Sequence, residues 1–141
     1  MDAFDADVLI YAAVPAHSEG RRVLALFPND TNPGAPLAGI GSVLLLPELL
    51  TKPTREKADT EVAALAALLG RLDLRPVDKA TAELAVALGS DYRLKAADAL
   101  HLATAVGAGA DRFVTNNHRD FTRAITEIAI TYPDELPEPV E

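Results

Sequence analysis

The chain has 141 residues, of which 49% are hydrophobic and 24% charged, with no cysteine and a formal net charge of −8. That is the size and balance of one ordinary globular domain, and it excludes disulfides, thiolate metal sites and cysteine nucleophiles. No apolar run reaches the roughly 18 residues that span a bilayer, and the start Met1-Asp2-Ala3-Phe4-Asp5-Ala6-Asp7 carries acid where a secretory leader carries Lys or Arg, so the expectation is a cytoplasmic protein with no membrane partner.

Residues 4–13 are apolar with two acids near their start, and read as a strand or as a strand followed by a helix. Residues 18–27 read as a helix, with Val23, Leu24, Leu26 and Phe27 near one face and Arg21 and Arg22 on another. Residues 28–36 are rich in Pro, Asn, Asp, Thr and Gly and form a loop. A short strand follows at 37–40, then a helix capped by Ser42 and running through Leu50 despite Pro47, ended by Thr51-Lys52-Pro53-Thr54.

Residues 59–72 are the clearest amphipathic helix, burying Val62, Leu65, Leu68, Leu69 and Leu72. A strand is expected at 74–77. Asp78 caps a helix to Leu88 that Gly89 stops, and a further helix covers 96–106 before Gly107 and Gly109. Strands are expected at 112–115 and 125–131. The fold unit therefore covers residues 1–131, and 132–141, with three prolines and several acids, reads as a loosely ordered tail. Helices alternating with short strands predict a three-layer α/β/α sandwich with a mostly parallel central sheet, in which sites gather at the carboxyl ends of the strands.

An acidic chain is a poor general binder of nucleic acid, because phosphate contacts draw on Lys and Arg. A local carboxylate cluster that holds cations is a different matter, since such a cluster can act on phosphates. Four places supply candidates. Asp5 and Asp7 flank the end of the first strand. Glu48 lies within Val43-Leu44-Leu45-Leu46-Pro47-Glu48-Leu49-Leu50, and Asp98 within Ala96-Ala97-Asp98-Ala99-Leu100-His101-Leu102-Ala103. Asn117 and Asp120 follow the strand that ends at Thr115.

Acids among apolar neighbours are seldom buried unless paired or on a metal. Taken singly, Glu48 reads as the outer face of a helix and Asp5 as a cap. Taken together, carboxylates within roughly 4–6 Å raise one another's pKa unless a cation is present, and a hard, oxygen-liking ion such as Mg²⁺ or Mn²⁺ answers that. His101 shares a helix face with Asp98 and reads as a packed histidine, as a substrate contact, or as a partner behind a cation-holding acid. Thr115 reads as a contact that positions Asn117 or a water, or as one that simply pairs with backbone. Three scattered histidines and no cysteine argue against zinc.

These motifs resemble the PIN domain family, and within it the VapC-like toxins of toxin–antitoxin pairs. The resemblance rests on Phe4-Asp5-Ala6-Asp7-Val8-Leu9-Ile10-Tyr11, Leu45-Leu46-Pro47-Glu48-Leu49, Ala97-Asp98-Ala99-Leu100-His101-Leu102-Ala103-Thr104-Ala105 and Phe113-Val114-Thr115-Asn116-Asn117-His118-Arg119-Asp120-Phe121, in the family's order. It implies carboxylates around one or two Mg²⁺ or Mn²⁺ ions, with Asp5, Glu48 and Asp98 at the family's most consistent acids and Asp7 assisting. Asn117 stands where many members have Asp, which leaves the fourth position to Asn117 or to Asp120. The implied activity is hydrolysis of RNA phosphodiester bonds. The implied partners are RNA, an antitoxin protein and a second copy in a homodimer. Lys52, Arg55, Arg93, Lys95, His118 and Arg119 flank the acidic motifs and are candidate RNA contacts.

Three rivals stand against this reading. Asp5-Ala6-Asp7 has the spacing of a haloacid-dehalogenase-like phosphatase, but Val8-Leu9 replaces the usual Gly-Thr and the later Gly-Asp pair is missing. A receiver domain needs a late Lys after Ile128-Ala129-Ile130 that is absent. A PIN fold that has lost catalysis and survives as a binding module is the non-enzymatic alternative.

Overall fold

The structure, a computed structural model, describes residues 1–29 and 32–140. Asp30 and Thr31, within the expected loop at 28–36, lie outside the described residues. Five short strands form one parallel sheet: β1 (Asp2–Phe4), β2 (Gly39–Ser42), β3 (Leu72–Arg75), β4 (Arg112–Val114) and β5 (Ala129–Thr131), in the order β3-β2-β1-β4-β5. Six helices connect them: α1 (Ala6–Ala12), α2 (Ser18–Leu24), α3 (Leu45–Arg55), α4 (Asp59–Leu69), α5 (Lys79–Tyr92) and α6 (Ala96–Gly107).

Side chains alternate across a strand, and the register turns that alternation into two cores. Ala3 pairs with Ile40 on one side and Phe113 on the other, and Phe113 pairs with Ile130. This row meets Leu88, Ala99 and Leu102 of α5 and α6. The next row, Phe4 paired with Val114, faces the opposite way into Val8, Leu9, Val23, Leu45, Leu49, Leu65 and Leu69 of α1 to α4. Three layers result, as the alternation of helices and strands predicts. Because every strand is parallel, the carboxyl ends of β1, β2 and β4 lie along one edge, where Asp5, Ser42 and Thr115 emerge.

Several boundaries differ from the sequence expectation. The opening segment is a strand followed by a helix, with Asp5 between them. The strands expected at 37–40 and 74–77 sit two residues later and two earlier, at 39–42 and 72–75. Ser42 ends β2, and its Oγ accepts from Leu44 N at 3.1 Å rather than capping a helix. Pro53 does not stop α3, which runs to Arg55. It removes the N–H that the Leu49 carbonyl would take, yet its ring is buried. Gly89 does not stop α5, which ends at Arg93 in a left-handed conformation. Gly89 is instead where α5 meets its neighbours, since a Cβ there would lie 3.4 Å from that of Ala99.

The final strand is only three residues long, with Ile125 and Ile128 buried from the preceding loop. The expected loose tail is tied down over residues 133–138. It starts with a 3₁₀ turn at Pro133–Glu135 and buries Leu136. Arg22 donates to the carbonyls of Asp134 and Leu136 at 3.1 and 2.8 Å and pairs with Glu138 at 2.9 Å.

A glycine lets α1 and α2 cross at close range. A Cβ on Gly20 would lie 2.0 Å from the Tyr11 carbonyl oxygen, which is backbone and cannot step aside. Gly20→Ala is therefore expected to destabilise the protein by at least about 2 kcal/mol, read as a lower denaturant midpoint with an unchanged slope.

Candidate active site

Asp5 leaves β1 and N-caps α1, a role its short carboxylate suits. One oxygen accepts from Ala6 N at 2.8 Å and the other from Thr115 Oγ1 at 2.7 Å. The residue is only 6% exposed. Burial raises its pKa, the bonds from Thr115 and Ala6 oppose that rise, and the charge of Glu48 adds to it. Thr115 is fully buried, and its hydroxyl also accepts from Asn117 N at 3.1 Å. One hydroxyl thus ties the end of β1 to the loop after β4.

Asp7 lies in the first turn of α1 and accepts from Asn116 N at 3.1 Å. Burial first, then the Asp5 charge, push its carboxyl up to about 7. Asp98, in the first turn of α6, is raised by burial, then by Asp5, then by Asp120. Asn117 donates through Nδ2 to Asp120 at 3.0 Å and accepts from Asp120 N at 3.2 Å. Glu48 projects from α3, and its Oε1 lies 2.8 Å from His101 Nε2.

Asp5, Asp7, Glu48, Asp98 and Asp120 therefore share one electrostatic neighbourhood, drawn from three helices and the loop after β4. Among the described residues, no three of these side chains close on one point as a ready ligand set. Their donor chemistry nevertheless fits a hard divalent cation. All are carboxylate oxygens, and at Asp5, Asp7 and Asp98 burial first, then the charge of neighbouring acids, raises the pKa.

The sequence profile of the PIN domain matches residues 3–125. The chain belongs to the PIN domain family. Its fold recurs in a toxin–antitoxin complex from Klebsiella pneumoniae, with a TM-score of 0.70 and 26% identity over 94% of this chain and 98% of that one. A DNA-bound VapBC from Salmonella typhimurium gives 0.70 and 20% over 94% and 97%. FitAB bound to an IR36 DNA fragment gives 0.64 and 22% over 98% and 99%. No curated protein matches the chain. These neighbours share the fold of this PIN domain.

Within this PIN domain the other candidate residues are placed as follows. His101 and Thr115, expected among the substrate contacts, are buried, 3% and 0% exposed. Both are bonded to acids of the cluster. Lys52 and Arg55 lie exposed in the last turn of α3. Arg93 and Lys95 are exposed between α5 and α6, with Lys95 at the N-cap of the helix that carries Asp98. Arg119 is exposed after β4. None of these five cations forms an ion pair among the described residues. His118 is also exposed, and its ring stacks on Tyr132 with centroids 3.7 Å apart.

Sequence reasoning missed Asn116 and Tyr11. Besides its backbone bond to Asp7, Asn116 donates through Nδ2 to Tyr11 Oη at 3.3 Å. The signal was available, since Tyr11 follows Asp7 by four residues and shares its helix face. A cavity of about 720 Å³ lies between α1 and the turn joining α3 to α4, lined by Ile10, Val14, Lys57 and Leu65 among others. None of the clustered acids lines it.

Asp7 supplies a test of the crowding. Its folded pKa of about 7 exceeds the unfolded value, roughly 3.9. Ionisation therefore costs stability increasingly as pH rises from about 4, in full above about 7. In cation-free buffer, Asp7→Asn is expected to gain stability over the wild type between pH 5.5 and 8, by on the order of 2 kcal/mol. Denaturant melts of both proteins at the two pH values check this, and a difference that does not change with pH contradicts it.

Proposed function

We propose that the chain is a Mg²⁺- or Mn²⁺-dependent ribonuclease and the toxin of a toxin–antitoxin pair. The observation that carries this reading is the gathering of Asp5, Asp7, Glu48, Asp98 and Asp120 beside the strand ends of a PIN domain, a nuclease fold.

Asp5, Glu48 and Asp98, with Asp7, would hold one or two ions. A bound ion of this kind supplies activation of water near neutral pH and neutralisation of charge on a phosphoryl oxygen. The chain's own residues do the positioning. Thr115 and Ala6 N fix both oxygens of Asp5, Asn116 N fixes Asp7, and Asn117 holds Asp120 toward the cluster. Lys52, Arg55, Arg93, Lys95 and Arg119, exposed and without an ion pair among the described residues, are available to draw RNA phosphates to an otherwise acidic chain. In the overall reaction, the oxygen of water bonds to phosphorus as the bond to the 3′ oxygen breaks. The products are a 5′-phosphate and a 3′-hydroxyl, the latter taking up a proton.

The antitoxin proposal draws on the neighbours, which include a toxin–antitoxin complex and the VapBC and FitAB complexes. A basic side chain from such a partner suits the acidic cluster. A homodimer is the proposed assembly. One observation favours the alternative of a catalytically silent binding module. Asn117 stands at a position often occupied by an acid, and its amide is spent on Asp120.

Partner-free protein incubated with total RNA and Mg²⁺ or Mn²⁺ separates the two. The ribonuclease reading predicts discrete fragments with 5′-phosphate ends, lost with EDTA and lowered at least about 100-fold by Asp98→Asn. Intact RNA with every cation, from folded protein, favours the binding module.

A further inference from the structure

Glu48 differs from the other acids of the cluster. Asp5 is held by a hydroxyl and a backbone N–H, and Asp7 by a backbone N–H. Glu48 stands on α3 with a longer side chain, 35% exposed, and no backbone donor among the described residues reaches it. A flexible carboxylate of this kind loses more rotamer freedom when it is fixed. Its one anchor among the described residues is His101 Nε2, at 2.8 Å.

The ring of His101 is itself enclosed, with a side chain only 2% exposed. Its Nδ1 is buried and has no hydrogen-bond partner among the described residues. A proton on Nδ1 would be a stranded donor, so the geometry favours the proton on Nε2, donating to Glu48. Neither nitrogen is then free for a cation or a substrate. His101 follows Asp98 by three residues on α6, so the bond ties α3 to the helix that carries Asp98. Among the described residues, Glu48 Oε2 has no hydrogen-bond partner.

We propose that His101 is a positioning residue that acts through Glu48, fixing this carboxylate against Asp5 and Asp98 by donating from Nε2. The proposal rests on the reading of Asp5, Glu48 and Asp98 as cation ligands. Partners of this kind, standing behind a ligand, are typically worth roughly 10–100-fold in metal affinity.

The test measures Mn²⁺ affinity by calorimetry on the full chain carrying His101→Leu, His101→Gln, Glu48→Ala, or His101→Leu with Glu48→Ala. Thermal melts confirm that each variant is folded. His101→Leu is expected to weaken binding roughly 10-fold or more. His101→Gln, whose amide Nε2 can donate to the same carboxylate, recovers most of the loss. Once Glu48→Ala is present, His101→Leu costs nothing further. Equal losses in the Leu and Gln variants, or the same loss with and without Glu48, overturn the proposal and make His101 a packing residue.

A second reading needs no metal. In cation-free protein the imidazole nitrogen resonances of His101 are expected to show a proton on Nε2 alone, and to shift when Glu48 becomes Ala. Resonances unaffected by Glu48→Ala also overturn the proposal. If the wild type binds no Mn²⁺ at all, the cation reading falls, and these resonances decide the His101–Glu48 contact by themselves.

Discussion

The fold places an ionisable carboxylate where water scarcely reaches. Asp5 sits where the central strand of a parallel sheet hands over to its first helix, and that junction lies among the adjoining strand ends. Burying a carboxylate is costly unless its oxygens are bonded. Thr115 and Ala6 N meet that demand, and Asp5 N in turn donates to the Val114 carbonyl at 2.9 Å. Once β1 and the loop after β4 are joined in this way, Asn116 and Asn117 fall beside Asp7 and Asp120. α6 brings Asp98 and His101, and His101 reaches across to Glu48 on α3. Bonds from one buried acid thus tie β1 to the loop after β4, and a separate His101–Glu48 bond joins α6 to α3 beside it.

Much of this was legible in the sequence. Asp5, Glu48 and Asp98 were conspicuous because each interrupts an apolar stretch, and the alternation of helix and strand patterns fixed the three-layer fold class. The legible signals were those carried by local periodicity and composition. Pairings over long sequence separations were not among them. Glu48 and His101 are 53 positions apart, and taken alone each had an ordinary local explanation, one as an outer helix face and the other as a packed ring.

The misplaced boundaries have a common origin in tertiary packing. Pro53 and Gly89 are helix breakers by local rule, yet α3 and α5 continue past them. In the first case the proline ring is buried, and in the second a small residue lets α6 approach. The tail read as loose from its prolines and acids, but Arg22 meets its carbonyls and Leu136 enters the core. Strands of three or four residues carry too little alternation to fix their ends, which is why β2 and β3 each lie two residues from the expected place.

The account's central claim is that carboxyls raised by burial, and further by one another's charge, are matched to a hard divalent cation. Proton release on binding tests it most directly, because Asp7, pushed up to about 7, must give up its proton to take an ion. Calorimetric titration with Mn²⁺ at pH 6.5 and 8.5, in buffers of differing ionisation enthalpy, counts those protons. The account predicts saturable binding with protons released at pH 6.5 and fewer at pH 8.5. Absence of binding at both values, or binding with no proton released at pH 6.5, would contradict it.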